Sequence, residues 1–436
     1  MRRRALGLLA ALLVLLPAPA AAQERLALAG GRVVTNTGAP VEGGTVLLSG
    51  GRVEAVLPAG AAAPTGYRVI DAAGKWVTPG IIAGISQLGA VEVHAVDEAN
   101  ETVARTAPVS AALALEAGLD PEETAIAITR IEGVTAAVTA PFPGRTIFAG
   151  QGAIISLGDG RPIRPRAFQH VAYGELGSRI AGGSRPAAWA EILNALDEAQ
   201  RLRNGLVSPM RDQHRDLRVT RDDAEALVPV LTGAQPLLVR VNRASDIRQV
   251  LTLRNRYPGV RLVLVEAAEG WMVADELARA RVPVITLGMD NLPGRFETIG
   301  ATMSNVGRMV AAGVTVALGT PDLDASFQPR LLPQYAGNLV AQGRLPGGVG
   351  LSWDQAFAAI SRAPAEIFGL ADMGRLAPGA RADVVIWSGD PLELSSAPEA
   401  VFIAGVAQPM ESRQTKLARR YRPGQPETGL PKAWMR

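Results

Sequence analysis

The chain carries three histidines, at positions 94, 170 and 214, and no cysteine. Thiolate metal sites, a cysteine nucleophile, disulfides and a lipobox cysteine are therefore excluded. The densest run of ligand-type residues is Glu92-Val93-His94-Ala95-Val96-Asp97-Glu98. In an extended segment Glu92 and His94 share a face, and nitrogen and oxygen donors together suit zinc or manganese. The same run also suits a polar surface loop, and this is the preferred reading, because spacing alone does not converge three ligands. His170 and His214 stand among arginines (Arg161, Arg164 and Arg166; Arg211 and Arg215) and read as surface histidines. Arg240 differs, because it ends the apolar run Pro236 to Val241. A cation buried there needs an acid partner, or it grips an anionic ligand with two parallel bonds.

The elements that must position these residues follow from patterning. Leu26 to Val77 reads as short strands, with Gly50-Gly51 between Thr45-Val46-Leu47-Leu48 and Val53-Glu54-Ala55-Val56 as a tight hairpin. Ala382 to Trp387 and Ala400 to Ile403 are strands of the same kind at the far end. The middle alternates instead. Asp120-Pro121-Glu122-Glu123 reads as cap, N1 proline and capping acid of a helix to about Glu132, and Val134 to Thr139 as the next strand. Helices opening at Thr220, Ser245, Trp271 and Met303 alternate with the strands Pro236 to Val241, Arg261 to Val265, Val282 to Leu287 and Val314 to Leu318. Short apolar strands between amphipathic helices mean a parallel sheet covered on both faces, and six or more such units favour a closed barrel. The expected fold is α/β, a (β/α)8 barrel at 79–370 with a small β-sandwich built from 23–78 and 371–423. In such a barrel chemistry sits at the C-terminal strand ends.

Residues 1–22 read as a secretory signal: Arg2, Arg3 and Arg4, the apolar run Ala5 to Leu16, then Ala20-Ala21-Ala22 before Gln23. The run is shorter than the ~20 apolar residues of a membrane span. A periplasmic or secreted protein is expected, with a tail at 424–436. Of 44 Lys+Arg and 41 Asp+Glu, three arginines lie in the signal, which leaves 41 against 41. The balance gives no reason to invoke nucleic acid or an anionic membrane. Arg413, Lys416, Arg419, Arg420 and Arg422 read as a solvated helix end.

Two separated motifs carry a family resemblance. Val69-Ile70-Asp71-Ala72-Ala73-Gly74-Lys75-Trp76-Val77-Thr78-Pro79-Gly80-Ile81-Ile82 resembles the entry to the barrel in the amidohydrolase superfamily, and Gly374 to Val385 resembles the return from it. Ala149 to Ala153, Asn242-Arg243-Ala244-Ser245-Asp246-Ile247, Gly313 to Thr320 and Ala363-Pro364-Ala365-Glu366 are similar to the imidazolonepropionase-related branch. The resemblance spans roughly residues 24 to 423 and implies hydrolysis of non-peptide C–N bonds. It also implies zinc or another divalent metal that activates water. The ligands it implies are missing. Ile85 and Gln87 stand where two histidines are expected, and Ala83 where an acid is. A lysine is expected near Ser156. Arg240 stands at the strand-5 histidine and Ala267 near the strand-6 histidine. Gly319-Thr320-Pro321 replaces a Gly-Thr-Asp whose aspartate is the general base.

No metal or other cofactor is expected in this chain. Two readings follow. The preferred one is a non-catalytic binding or partner protein on a hydrolase scaffold, with Gln87, Arg240, Asn242 and Arg243 as ligand-binding residues. Arg240, paired to Glu266, partly fills the metal's space. A homodimer, or a heterodimer with an active paralogue, is the partner class. The other reading is a working hydrolase that uses Asp322, one residue beyond the lost base, or a site relocated around His94.

Overall fold

The protein is described by a computed structural model, which covers residues 24–93, 95–206, 219–321 and 328–422. The proposed signal, His94, His214, Asp322 and the C-terminal tail lie outside the described residues.

The chain opens with β1 (Leu26–Val33), β2 (Val41–Ser49), β3 (Arg52–Leu57), β4 (Arg68–Asp71) and β5 (Trp76–Pro79). The barrel strands are β6 (Ile81–Ser86), β7 (Val134–Thr139), β8 (Phe148–Ser156), β9 (Pro162–Ala172), β10 (Leu237–Val241), β11 (Leu262–Glu266), β12 (Val284–Thr286) and β13 (Val316–Leu318). The chain returns through β14 (Val384–Trp387), β15 (Pro398–Ile403) and β16 (Val406–Ala407).

Both ends share a sheet, as the patterning predicts, but it is one eight-stranded sheet rather than two stacked ones. Its order is β16-β15-β14-β5-β1-β2-β3, with β4 beside β1. The cause is β14, which pairs antiparallel with both β5 and β15 and so joins the two termini in one ladder. The far edge turns back on the approach to β14: Val53 N donates to Ala380 O at 2.8 Å, and Gly379 N to Val53 O at 2.9 Å. The curled sheet encloses Leu26, Leu28, Val46, Leu48, Val77, Ile386 and Phe402, all buried.

The second sheet runs β13-β12-β11-β10-β9-β8-β7-β6. It nearly closes: Thr320 N, just past β13, donates to Ile85 O of β6 at 2.8 Å. The strands meet so closely that a Cβ on Gly84 would lie 2.6 Å from Leu318 O. The barrel departs from the expected all-parallel form at one strand, because β8 pairs antiparallel with both β7 and β9. The connections 140–147 and 157–161 are too short for a parallel crossover, which needs a dozen or more residues. Helices follow the other six strands.

Two helix starts show the local chemistry. The helix Thr124–Ile131 is capped by Glu123, whose carboxylate accepts from Ala125 N at 3.0 Å. Asp120, the expected cap, instead closes the preceding turn by accepting from Glu122 N at 2.9 Å. Thr220 caps the helix Arg221–Leu231. Asp223 within that helix accepts from Ser110 N at 2.8 Å and Ala112 N at 2.9 Å, which ties the long loop after β6 to the barrel wall.

Candidate functional site

Alternation along β10 decides what enters the barrel. Leu237, Val239 and Val241 face the surrounding helices, so Leu238, Arg240 and Asn242 point inward. Arg240 is 4% exposed. Its Nη2 pairs with Glu266 Oε1 on the neighbouring β11. Its Nη1 donates to Pro321 O, beyond β13, at 3.1 Å, and the guanidinium lies 4.8 Å from the centre of the Phe142 ring. One side chain thus links β10, β11 and the end of β13.

The network extends through Asn242, whose Nδ2 donates to Glu266 Oε2 at 2.6 Å and to Glu297 Oε1 at 3.1 Å. An amide NH2 has two donors, and both are used. Glu297 Oε2 accepts from Glu175 N at 2.6 Å. Arg185 lies 3.8 Å from that same oxygen and donates to Asp246 Oδ2 at 2.6 Å. Glu269 accepts from Ala244 N at 2.9 Å and from Gly300 N at 3.1 Å. Burial pushes the Glu297 carboxyl upward, opposed by the Glu175 N–H and the Asn242 amide.

The backbone is bent to hold this arrangement. Glu266 and Ala267 both take positive φ, 75° and 50°, at the end of β11. Consecutive non-glycine residues there are strained, and such strain clusters at ligand-handling sites. Gly174 has φ +79°, and a Cβ there would lie 2.6 Å from Glu297 Oε2, so only glycine lets the acid approach.

The structure brings together Arg240 and Asn242 of the expected site residues, and it adds Glu297, Arg185 and Glu269. No local pattern marks Glu297, which sits in a short turn, Phe296–Thr298, far from the others in sequence. Gln87 is buried after β6 and donates to Thr102 Oγ1 at 2.9 Å. Arg243 is exposed at the N-terminus of the helix Ala244–Leu251, and no hydrogen bond of its side chain joins it to the network among the described residues. Asp322 and His94 lie outside the described residues. Ser156, near which a lysine was expected, pairs in register with Ala136 near the start of β7. Because β8 runs antiparallel, Ser156 sits at the face opposite the network.

His170 corrects another expectation. It is an inward residue of β9, 2% exposed, not a surface histidine. Its Nδ1 lies 2.7 Å from Pro141 O, which assigns the proton to Nδ1, and Nε2 is buried without a partner among the described residues. Burial first, and then the Arg240 charge, lower its pKa to about 4, so the ring is neutral. The unfolded chain takes up this proton below about pH 6.5 and the folded protein only near pH 4. Stability from this group is therefore full above pH 6.5 and falls by roughly 3 kcal/mol as pH drops to 4. Asp383, whose pKa burial raises to about 6, works in the opposite direction over that window. Comparing wild type with His170→Gln cancels the Asp383 effect. Urea unfolding at pH 7 and 4.5 should show an acid loss smaller by about 2–3 kcal/mol in the variant. Equal losses would show that His170 is not the buried neutral base.

The residues at the strand ends do not fit a divalent metal. Ile85, 3% exposed, offers no donor, and Ala267 none. The nearby carboxylate oxygens of Glu266 are taken by Arg240 and Asn242. A dication there would also face the Arg240 charge across a low-dielectric interior. Among the described residues, no three His, Cys, Asp or Glu side chains are grouped to hold a metal ion.

A nearly closed barrel with a polar network at its C-terminal strand ends and a sheet built from both chain ends is the frame of an amidohydrolase, and the chain belongs to the amidohydrolase family, whose model matches residues 91–407. Amidohydrolase tasK of Hapsidospora irregularis is 25% identical over 406 residues, covering 84% of this chain. The chain spans 40% of the length of that relative. An amidohydrolase from Thermotoga maritima MSB8 superposes with TM-score 0.76 at 23% identity, over 88% of this chain and 99% of that one. A zinc-bound adenosine deaminase from Xanthomonas campestris superposes with TM-score 0.52 at 16% identity, over 88% and 92%. Both structural likenesses are likenesses of fold.

Proposed function

We propose that this chain is an exported, non-catalytic member of the amidohydrolase family, of the imidazolonepropionase-related branch, that acts as a binding or partner protein. One observation carries the reading. The Arg240 guanidinium lies among the inward strand ends, joined to Glu266 and to the Pro321 carbonyl, where a hydrolase of this family needs a metal and its water. A fixed cation there supplies charge but no Lewis-acidic open position, and Ile85 leaves that side of the site apolar. Fold descends with the family; function has to be argued from the site, and among the described residues no group of three potential ligands is placed to hold a metal. The partner fitting this reading is a second copy of the chain or an active paralogue.

Elemental analysis of residues 23–436, purified without chelator or histidine tag, tests the proposal. Less than about a tenth of a metal ion per chain is the expected result. About one zinc, manganese or iron per chain, a full site by the family's stoichiometry, overturns it.

A further inference from the structure

The opposite, N-terminal face of the barrel holds a cleft of about 460 Å³. Its walls are Pro258, Val260, Leu277, Pro283, Val314 and Ile367, and its charged lining is Arg254, Arg261, Arg281 and Glu366. The three arginines converge because of topology. Arg254 and Arg261 lie on the approach to β11 and Arg281 on the approach to β12, and these strands are parallel neighbours with Leu264 opposite Val284. Glu366, the one acid among the described lining residues, already pairs with Arg362 at 3.5 Å.

The hydrogen bonding leaves donors over. Arg254 bonds the Ala280 carbonyl at a helix end. Arg261 makes long bonds to Gly233 O at 3.4 Å and Ile367 O at 3.3 Å. A guanidinium has five N–H donors, so both keep several free. The backbone N–H of Arg281 closes the helix end on Ala278 O at 3.0 Å, but its guanidinium has no hydrogen bond or ion pair among the described residues.

The backbone of Arg281 is a second, independent observation. It ends the helix Ala274–Ala280 in the left-handed region, at φ 52° and ψ 43°. Glycine is the usual residue there, and a side chain with a Cβ is strained by roughly 1 kcal/mol. A long cation sits at a glycine position, and Arg281 is among the residues that line the cleft. Strain kept at such a place points to a function for the side chain.

We infer that this cleft binds a small organic anion, a phosphate ester or a carboxylate, gripped by Arg281 with Arg254 and Arg261 while its carbon skeleton rests on the apolar wall. Paired N–H donors of a guanidinium match the oxygens of both groups. The site is separate from the strand-end network and stands or falls independently of the proposed loss of catalysis.

Thermal unfolding of the full chain tests this, with glycerol 2-phosphate in one arm and succinate in the other at constant ionic strength. A saturable rise in Tm of about 1–2 °C at ten times Kd is expected in at least one arm. The arm that responds tells phosphate from carboxylate. Arg281→Gly should leave the ligand-free Tm equal or higher, because it relieves the left-handed strain, and should abolish the rise. Arg344→Gly, outside the cleft, removes the same charge and should keep it. No saturable rise in either arm, a rise that survives Arg281→Gly, or one lost equally in Arg344→Gly overturns the inference.

Discussion

Arg240→Met is expected to destabilise the protein by about 3–5 kcal/mol, because it strands the Glu266 carboxylate in the barrel with its charge uncompensated. Glu266 is 6% exposed, and the next guanidinium, that of Arg295, stands 3.8 Å away and half in solvent. Asn242 would still donate to it, which softens the loss without cancelling a charge. Glu266→Gln should cost a comparable amount by the reverse logic, because it leaves the Arg240 charge without its carboxylate, with the Pro321 carbonyl and the Phe142 face as its other contacts among the described residues. The double variant, with neither charge, should recover to within about 1–2 kcal/mol of wild type, since a buried pair is often replaceable as a unit. Urea unfolding of all four proteins gives the coupling energy directly. Additive single effects would mean that the pair is not the centre of the site. If both singles were neutral, water rather than protein would surround Arg240.

Gly152→Ala is expected to cost about 2–3 kcal/mol, at the upper end for one added methyl group. Phe168, fully buried on β9, lies across Gly152 of β8, and a Cβ at 152 would collide with the ring. The ring is packed against Phe368 with centroids 5.6 Å apart, so it has little room to retreat. Phe168→Ala should cost about 3–5 kcal/mol by opening a cavity in the same place. Phe168→Leu should recover part of the Gly152→Ala loss, which separates steric conflict from an effect of glycine on the strand. A neutral Gly152→Ala would show that the ring does not fill the barrel at this level. This contact also depends on β8 running antiparallel.

Much of the scaffold was legible in the sequence. Apolar strands such as Leu262–Glu266 and Val134–Thr139, each preceded by a glycine- or proline-containing turn, mark the barrel by their period. The Gly50-Gly51 hairpin and the matching strands beyond residue 380 mark a sheet shared by the two ends. The candidate site was legible by subtraction. Residue types alone say that Ile85 is no ligand, and Arg240 at the end of an apolar run needs an acid partner.

The rest required the tertiary structure, because it depends on which strands become neighbours. Spacing gives the type of an element but not the direction in which it joins a sheet, so neither the reversal of β8 nor the face on which Ser156 ends up is legible in the sequence. His170 sits among arginines in sequence, yet the pleat of β9 turns it inward, and burial rather than local charge sets its proton affinity. Glu297 reaches Asn242 from 55 residues away through a turn with no distinguishing pattern. The sequence by itself determined the family frame and the residue types at the strand ends, Ile85 and Arg240 among them, since both are properties of residue type and order. Only the tertiary structure decided which buried charges compensate one another, because pairing is set by distances that packing creates.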